Sequence, residues 1–196
     1  YYCVCLQKEK LTTGSRGTAM NISVMPGVWY DIDIAEDGNN VHAQSDLPKS
    51  FDEAMSFING INPKPTIIVN SGHGLHAYWL FDKALVIDEE TQRKRCQKLS
   101  NDWQEYLNSE GGKRGWKGDN TSDLARLLRL PKSYNRKKGG CVEVKVIECS
   151  GNRYSPDEFI RQAEMVEKAA AVKGAITDTD SIYFSGIVTC GAQRIE

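Results

Sequence analysis

Two apolar runs, Thr66–Asn70 (TIIVN) and His76–Phe81 (HAYWLF), are separated only by the five residues SGHGL. A connection this short, carrying two glycines, reads as a hairpin between antiparallel strands. The chain must therefore build at least part of its core on a sheet. A third run, Val28–Ile34 (VWYDIDI), adds a chemical constraint. In an extended chain, side chains two apart share a face, so Asp31 and Asp33 stand side by side in a strand otherwise suited to burial. Unpaired carboxylates there cost several kcal/mol each or stay protonated, so a positive partner is expected between them.

Around these strands the pattern is mixed. Residues 1–8 read as a strand and Thr12–Thr18 as a turn; Glu36–Lys49 is a polar loop. Ser50 starts a helix with capping-box spacing to Glu53, and Phe51, Ala54, Met55 and Ile58 supply its apolar stripe. Glu89–Leu107 is a long charged helix, EGGKRGWKGDN a loop, and Ser122–Leu130 a short helix stopped by Pro131. Cys141–Glu148 alternates as a strand, and Ser155-Pro156-Asp157-Glu158 opens a further helix. Strands and helices without regular βαβ alternation argue for an α+β domain. At 196 residues there is room for one substantial domain, taken as residues 1–170, with 171–196 a linker or the edge of a following module. The opening YYCVCLQ reads as mid-strand, which suggests a piece of a longer protein.

No apolar run approaches the roughly 20 residues that span a bilayer, so no membrane role is expected. The six cysteines include no CxxC pair, so no zinc is expected, and a reduced cytoplasmic setting is the default. The net charge of −1 says little about a nucleic-acid partner, but bases cluster at Arg93–Arg95, Lys113-Arg114 and Lys132–Lys138. Each cluster is either a solvated face or a phosphate-binding surface.

Three groups of residues could carry chemistry. Asp31 and Asp33 suit a hard divalent cation, or mark an edge strand with one wet face. A third carboxylate could come from Asp119 or Asp123, which spacing ranks equally; Asp123 falls in the first turn of the expected helix, where an acid also serves the macrodipole. The hairpin SGHGLH offers Ser71, accessible backbone N–H groups, and His73 and His76 to a phosphate. It is otherwise a packed hairpin or a zinc pair lacking a third ligand, and HGLH lacks the spacing of an HUH nickase. The stretch from Arg126 to Lys138 carries Arg126 and Arg129, three apart on one helix face, then Asn135 and Lys137; it is a phosphate grip or a surface loop. Taken together these are the parts of nucleotidyl transfer with two metals about 4 Å apart.

The same three motifs, in this order, resemble those of the archaeo-eukaryotic primase superfamily, the primase-polymerases: DxD at Asp31–Asp33, a Ser-containing turn ending in His at Ser71–His76, and an acid running into R-L-x-R-x-P-x-S at Asp119–Lys137. The resemblance covers about residues 1–150 and is nearest to mobile-element members from phages, plasmids and CRISPR loci. Relatives often carry Gly-Thr where this chain has Lys132-Ser133.

What the resemblance implies is specific. The fold would be a primase core with an RRM-like sheet packed beside an N-terminal αβ unit and the active site between them. Asp31, Asp33 and Asp119 would bind two Mg²⁺ or Mn²⁺ ions, with Asp123 the rival third ligand. Ser71, His73, His76, Arg129, Asn135 and Lys137 would contact the incoming (d)NTP. The activity would be that of a template-directed DNA primase/polymerase, acting on a DNA template and primer. The setting would be a prokaryotic or phage- or plasmid-encoded protein, with room for a fused or associated helicase, primase C-terminal or CRISPR-linked module. The alternatives are a metal-dependent nuclease, which needs no triphosphate pocket, and a nucleotide-binding replication-initiator module without turnover.

Overall fold

The computed structural model describes residues 1–12, 14–35, 46–137 and 140–162. Residues 171–196 and most of the Glu36–Lys49 loop lie outside them. In chain order the elements are β1 (Tyr2–Cys3), β2 (Leu6–Gln7), β3 (Ile22–Asp33), α1 (Phe51–Gly60), β4 (Ile67–Asn70), β5 (Gly74–Val86), α2 (Glu90–Gly112), β6 (Leu127–Leu128), β7 (Tyr134–Asn135), β8 (Val142–Glu143) and β9 (Lys145–Cys149). This mixture is the α+β class expected. A last helix starts at 156, where Ser155 Oγ accepts from Asp157 N and Glu158 Oε1 accepts from Ser155 N, the predicted start.

The main sheet is antiparallel, in the order β2-β3-β5-β4-β9. The hairpin forms as expected, with Asn70 opposite Leu75 and Ser71 N donating to Gly74 O. Alternation along β3 sends Val28, Tyr30 and Ile32 to one face and Trp29, Asp31 and Asp33 to the other. The first face is covered by the helices. Tyr30 packs on Phe57 of α1 with ring centroids 6.3 Å apart and donates its hydroxyl to Asn108 Oδ1 of α2 at 2.8 Å. Beside it, Trp79 meets Trp103 of α2 edge-on at 5.0 Å. Burying such rings contributes about 2–3 kcal/mol apiece, so this face anchors the fold. The second face carries the acids. The cross-strand register sets Asp31 opposite His76 and Asp33 opposite Gly74. Gly74 has no room for a Cβ, which would strike the backbone of Ile32.

Several expectations change. The segment Ser122–Leu130 is not a helix, despite the strong helix formers in LARLLRL. After a turn in which Arg126 N bonds Asp123 O, the chain runs extended, and β6 pairs with β1, Leu128 opposite Tyr2. Sheet pairing with the N-terminus and burial of Leu124, Ala125 and Leu128 outweigh local propensity. The same pairing splits the expected strand 1–8: β1 serves β6, whereas β2 joins the main sheet. The expected strand 141–148 also breaks, at Val144. This buried residue donates to Ser133 O and accepts from Lys132 N, both at 2.8 Å.

Helix α2 runs on to Gly112, absorbing part of the expected loop, with Gly111 buried beneath Trp116 and Phe57. In α1, Ser50 Oγ accepts from Glu53 N as expected, but Glu53 accepts from Lys49 N, one residue earlier than a capping box would have it. Its buried stripe is Ala54, Phe57 and Ile58, leaving Phe51 exposed. Arg93 is no surface base. It is buried and donates to the carbonyls of Ala19 and Ile22, tying α2 to the start of β3.

Lys132 takes φ +67°, the left-handed region that glycine occupies freely. Its N–H is held by Val144 O, so the turn cannot relax. Lys132→Gly is expected to raise stability by up to about 0.5 kcal/mol, because the left-handed cost of roughly 1 kcal/mol outweighs glycine's extra freedom when unfolded. Chemical denaturation would show this as a higher midpoint at unchanged slope, with no gain for Lys132→Ala.

Candidate active site

Asp31, Asp33 and Asp119 line one cavity of about 120 Å³ at the outer end of β3. Its walls also include Tyr30, Leu47, Pro48, Trp116, Lys117 and Gly118. That volume suits ions and a few waters but falls well below the roughly 300 Å³ of small-molecule pockets, so a nucleotide would have to lie along the open side. Asp33 and Asp119 are exposed, whereas Asp31 is mostly covered, its side chain 23% accessible.

Asp31 is the electrostatic centre. Burial, then the charge of Asp33 and, more weakly, of Asp119, push its pKa up to about 7, against the pull of Arg126 and Lys137. The positive partner expected beside the two acids is Arg126, whose guanidinium stands 3.8 Å from Asp31 Oδ2. The negative charge is thus only partly offset. Tyr30 feels the same field: burial, Asp31 and Asp119 all raise its pKa above the ordinary phenol value.

Asp123, the rival acid, does not line the cavity. It is paired with Arg16 and lies 3.8 Å from Arg126, so Arg126 stands between Asp123 and Asp31. Among the described residues no group of three or more His, Cys, Asp or Glu side chains forms a ready metal cluster. The donor set around the cavity nevertheless fits hard divalent cations: all three acids are oxygen donors, and Asp31 is short of compensating charge.

The hairpin lies against this centre. His76 is buried, with Nδ1 3.3 Å from Tyr78 Oη and Nε2 3.6 Å from Asp31 Oδ1. Burial, followed by the charges of Arg129 and Arg126, lowers its pKa to about 4, so it is neutral at pH 7. Gly72 adopts φ +96° and its N–H is capped by Asn70 Oδ1 at 2.8 Å. Ser71 is buried, His73 half-buried, and the His73 carbonyl accepts from Ile34 N at 3.1 Å, closing the hairpin onto the end of β3.

Asn135 is buried against the hairpin. Its amide donates to Ser71 O at 2.8 Å and its Oδ1 accepts from Lys137 N at 3.1 Å. Both ends of that side chain are engaged with protein, so Asn135 braces the hairpin and the turn that carries Lys137. Arg129 stacks over the Tyr1 ring, 5.0 Å from its centroid, and Lys137 is exposed. Arg126 and Arg129 do not share a helix face, since no helix is there. The helical reading of LARLLRL paired Arg126 with Arg129 as a phosphate grip, whereas the extended chain sets Arg126 beside Asp31 instead. Trp116 and Lys117 gave no spacing signal at all.

Among the described residues no helix is long and apolar enough to cross a membrane. No protein-family profile and no curated protein sequence matches the chain. Two solved structures are similar in fold. One is the AEP domain of the primase-polymerase (PrimPol) of cyanophage S-2L, at 16% identity and TM-score 0.48, covering 74% of this chain and 64% of that one. The other is the primase RepB′, at 15% identity and TM-score 0.45, covering 80% of this chain and 46% of that one. The chain thus spans just under two thirds of the first and less than half of the second.

Proposed function

We propose that this chain is the catalytic core of a template-directed DNA primase-polymerase, transferring nucleotides from (d)NTPs to a 3′-hydroxyl. The observation that carries the reading is the meeting of Asp31, Asp33 and Asp119, from segments far apart in sequence, around one cavity beside the hairpin and Arg126. On this reading the main sheet corresponds to the RRM-like unit of primases. Asp31, Asp33 and Asp119 would hold two Mg²⁺ or Mn²⁺ ions. Those ions would supply acidity to the attacking hydroxyl and neutralisation to the leaving pyrophosphate.

The chain's own residues do the rest. Arg129 and Lys137, with Ser71 and His73, bind the triphosphate along the open side of the cavity. His76, neutral at pH 7, has a single N–H; carried on Nε2 it faces Asp31 at 3.6 Å, so His76 steadies the acid without adding charge. Asn135 keeps the hairpin and the Lys137 turn in register. DNA template and primer are the macromolecular partners.

A nucleotide-binding module without turnover is the second reading, favoured by the lack of a ready three-ligand cluster among the described residues. The test is incubation with a primed DNA template, dNTPs and Mn²⁺. Primer extension is expected. Nucleotide binding without extension selects the second reading, and degradation of the DNA without incorporation selects a metal-dependent nuclease instead.

A further inference from the structure

The segment that brings Asp119 to the cavity has no regular secondary structure of its own, yet it is held on both sides. Three amide side chains along α2 reach it. Gln97 Nε2 donates to Ser122 O at 2.9 Å, Gln104 Nε2 donates to Asp119 O at 3.3 Å, and Asn108 meets the Tyr30 hydroxyl directly beneath Gly118. Gly118 is packed so tightly against Asn108 and Tyr30 that no Cβ fits. Thr121, fully buried, donates its hydroxyl to Gln104 Oε1 at 2.9 Å. The Thr121 carbonyl accepts from Trp29 Nε1 at 2.8 Å, and Trp29 lies two residues from Asp31 on the same face of β3.

We infer that Gln104 and Thr121 are positioning residues that lock Asp119 in register with Asp31 and Asp33, through the chain Trp29–Thr121–Gln104–Asp119. Gln104 is 3% exposed and uses both ends of its amide, one on each neighbour of the turn. In a buried setting such bonds are directional, and removing one partner leaves the other unsatisfied. An exposed carboxylate on a loop gains little precision from its own rotamer. Its backbone therefore has to supply that precision, and here the backbone oxygen of Asp119 itself is the anchored atom. The inference rests on the metal-binding reading of Asp119 proposed above.

The test is Mn²⁺ titration by calorimetry on the intact chain. Thr121→Val keeps the shape and removes the hydroxyl; it is expected to weaken Mn²⁺ binding about tenfold, the lower end for residues that orient a ligand. Thr121→Ser keeps the donor and is expected to stay within about twofold of wild type. In an Asp119→Ala background the valine effect should vanish, since nothing remains to position. On dNTP incorporation, Thr121→Val should lower kcat with little change in the nucleotide KM. Gln104→Met gives the same cycle should the valine variant unfold. A loss that persists undiminished in the Asp119→Ala background, or wild-type affinity in both Thr121→Val and Gln104→Met, overturns the positioning role alone. A wild-type chain that binds no Mn²⁺ overturns the metal reading, and the inference with it.

Discussion

Asp31→Asn is expected to abolish nucleotide incorporation, by a factor of at least about 10³, while making the metal-free protein more stable at pH 8. The second effect follows from the first site's electrostatics. An unfolded aspartate ionises near 3.8, but in the fold Asp31 does so at about 7, chiefly because it is buried and then because Asp33 lies beside it. The folded state thus holds an extra proton between those values, and stability falls as pH rises from about 4 to 7. Above pH 7 the ionised carboxylate costs on the order of 4 kcal/mol. Asparagine removes that cost, which already includes the attraction of Arg126, so a gain of up to about 4 kcal/mol is expected above pH 7, or roughly 8–16 °C in Tm.

Below about pH 4 the gain should disappear. His76 titrates in the opposite sense, since its lowered pKa makes the fold gain stability as pH rises from about 4 to 6.5. It is present in both proteins but lies 3.6 Å from Asp31, so the difference between them reads Asp31 together with its coupling to His76. Thermal melts in EDTA across pH 4–8 read the effect directly. A variant no more stable at pH 8 than at pH 4, relative to wild type, contradicts the buried-charge account. Added Mn²⁺ should stabilise the wild type and leave Asp31→Asn unmoved.

The second large effect separates two acids that lie four residues apart. Asp119→Ala is expected to be inactive, again by about 10³ or more, because Asp119 is the acid that lines the cavity with Asp31 and Asp33. Asp123→Ala should keep activity within about tenfold of wild type. Its carboxylate is already engaged with Arg16 and Arg126, and the Arg16 pair is about half exposed, so its loss should cost less than about 1 kcal/mol. Primer extension on both variants, with circular dichroism to confirm folding, decides between them. The reverse pattern would make Asp123 the ligand and would require Arg126 to swing away when metal binds.

How legible the site was differs from one element to the next. The hairpin could be read because five residues with two glycines leave the flanking strands no other course. The shared face of Asp31 and Asp33 could be read because strand periodicity is a property of the backbone alone. The stretch LARLLRL misled for the converse reason: its local preference is helical, and only pairing with Tyr2–Cys3, more than a hundred residues away in sequence, makes it extended. Asn135 was legible as part of a motif, but its burial under the hairpin was not.

By itself the amino-acid sequence determined the α+β class, the hairpin, the start of the last helix and the two acids on one strand face, since each depends on neighbours within a few residues. The tertiary structure alone decided that Asp119 rather than Asp123 lines the cavity, that Arg126 supplies the partner charge to Asp31, and that His76 is buried and neutral. Those outcomes depend on desolvation and on charges brought together across the chain, and no local pattern encodes how much water a carboxylate will lose.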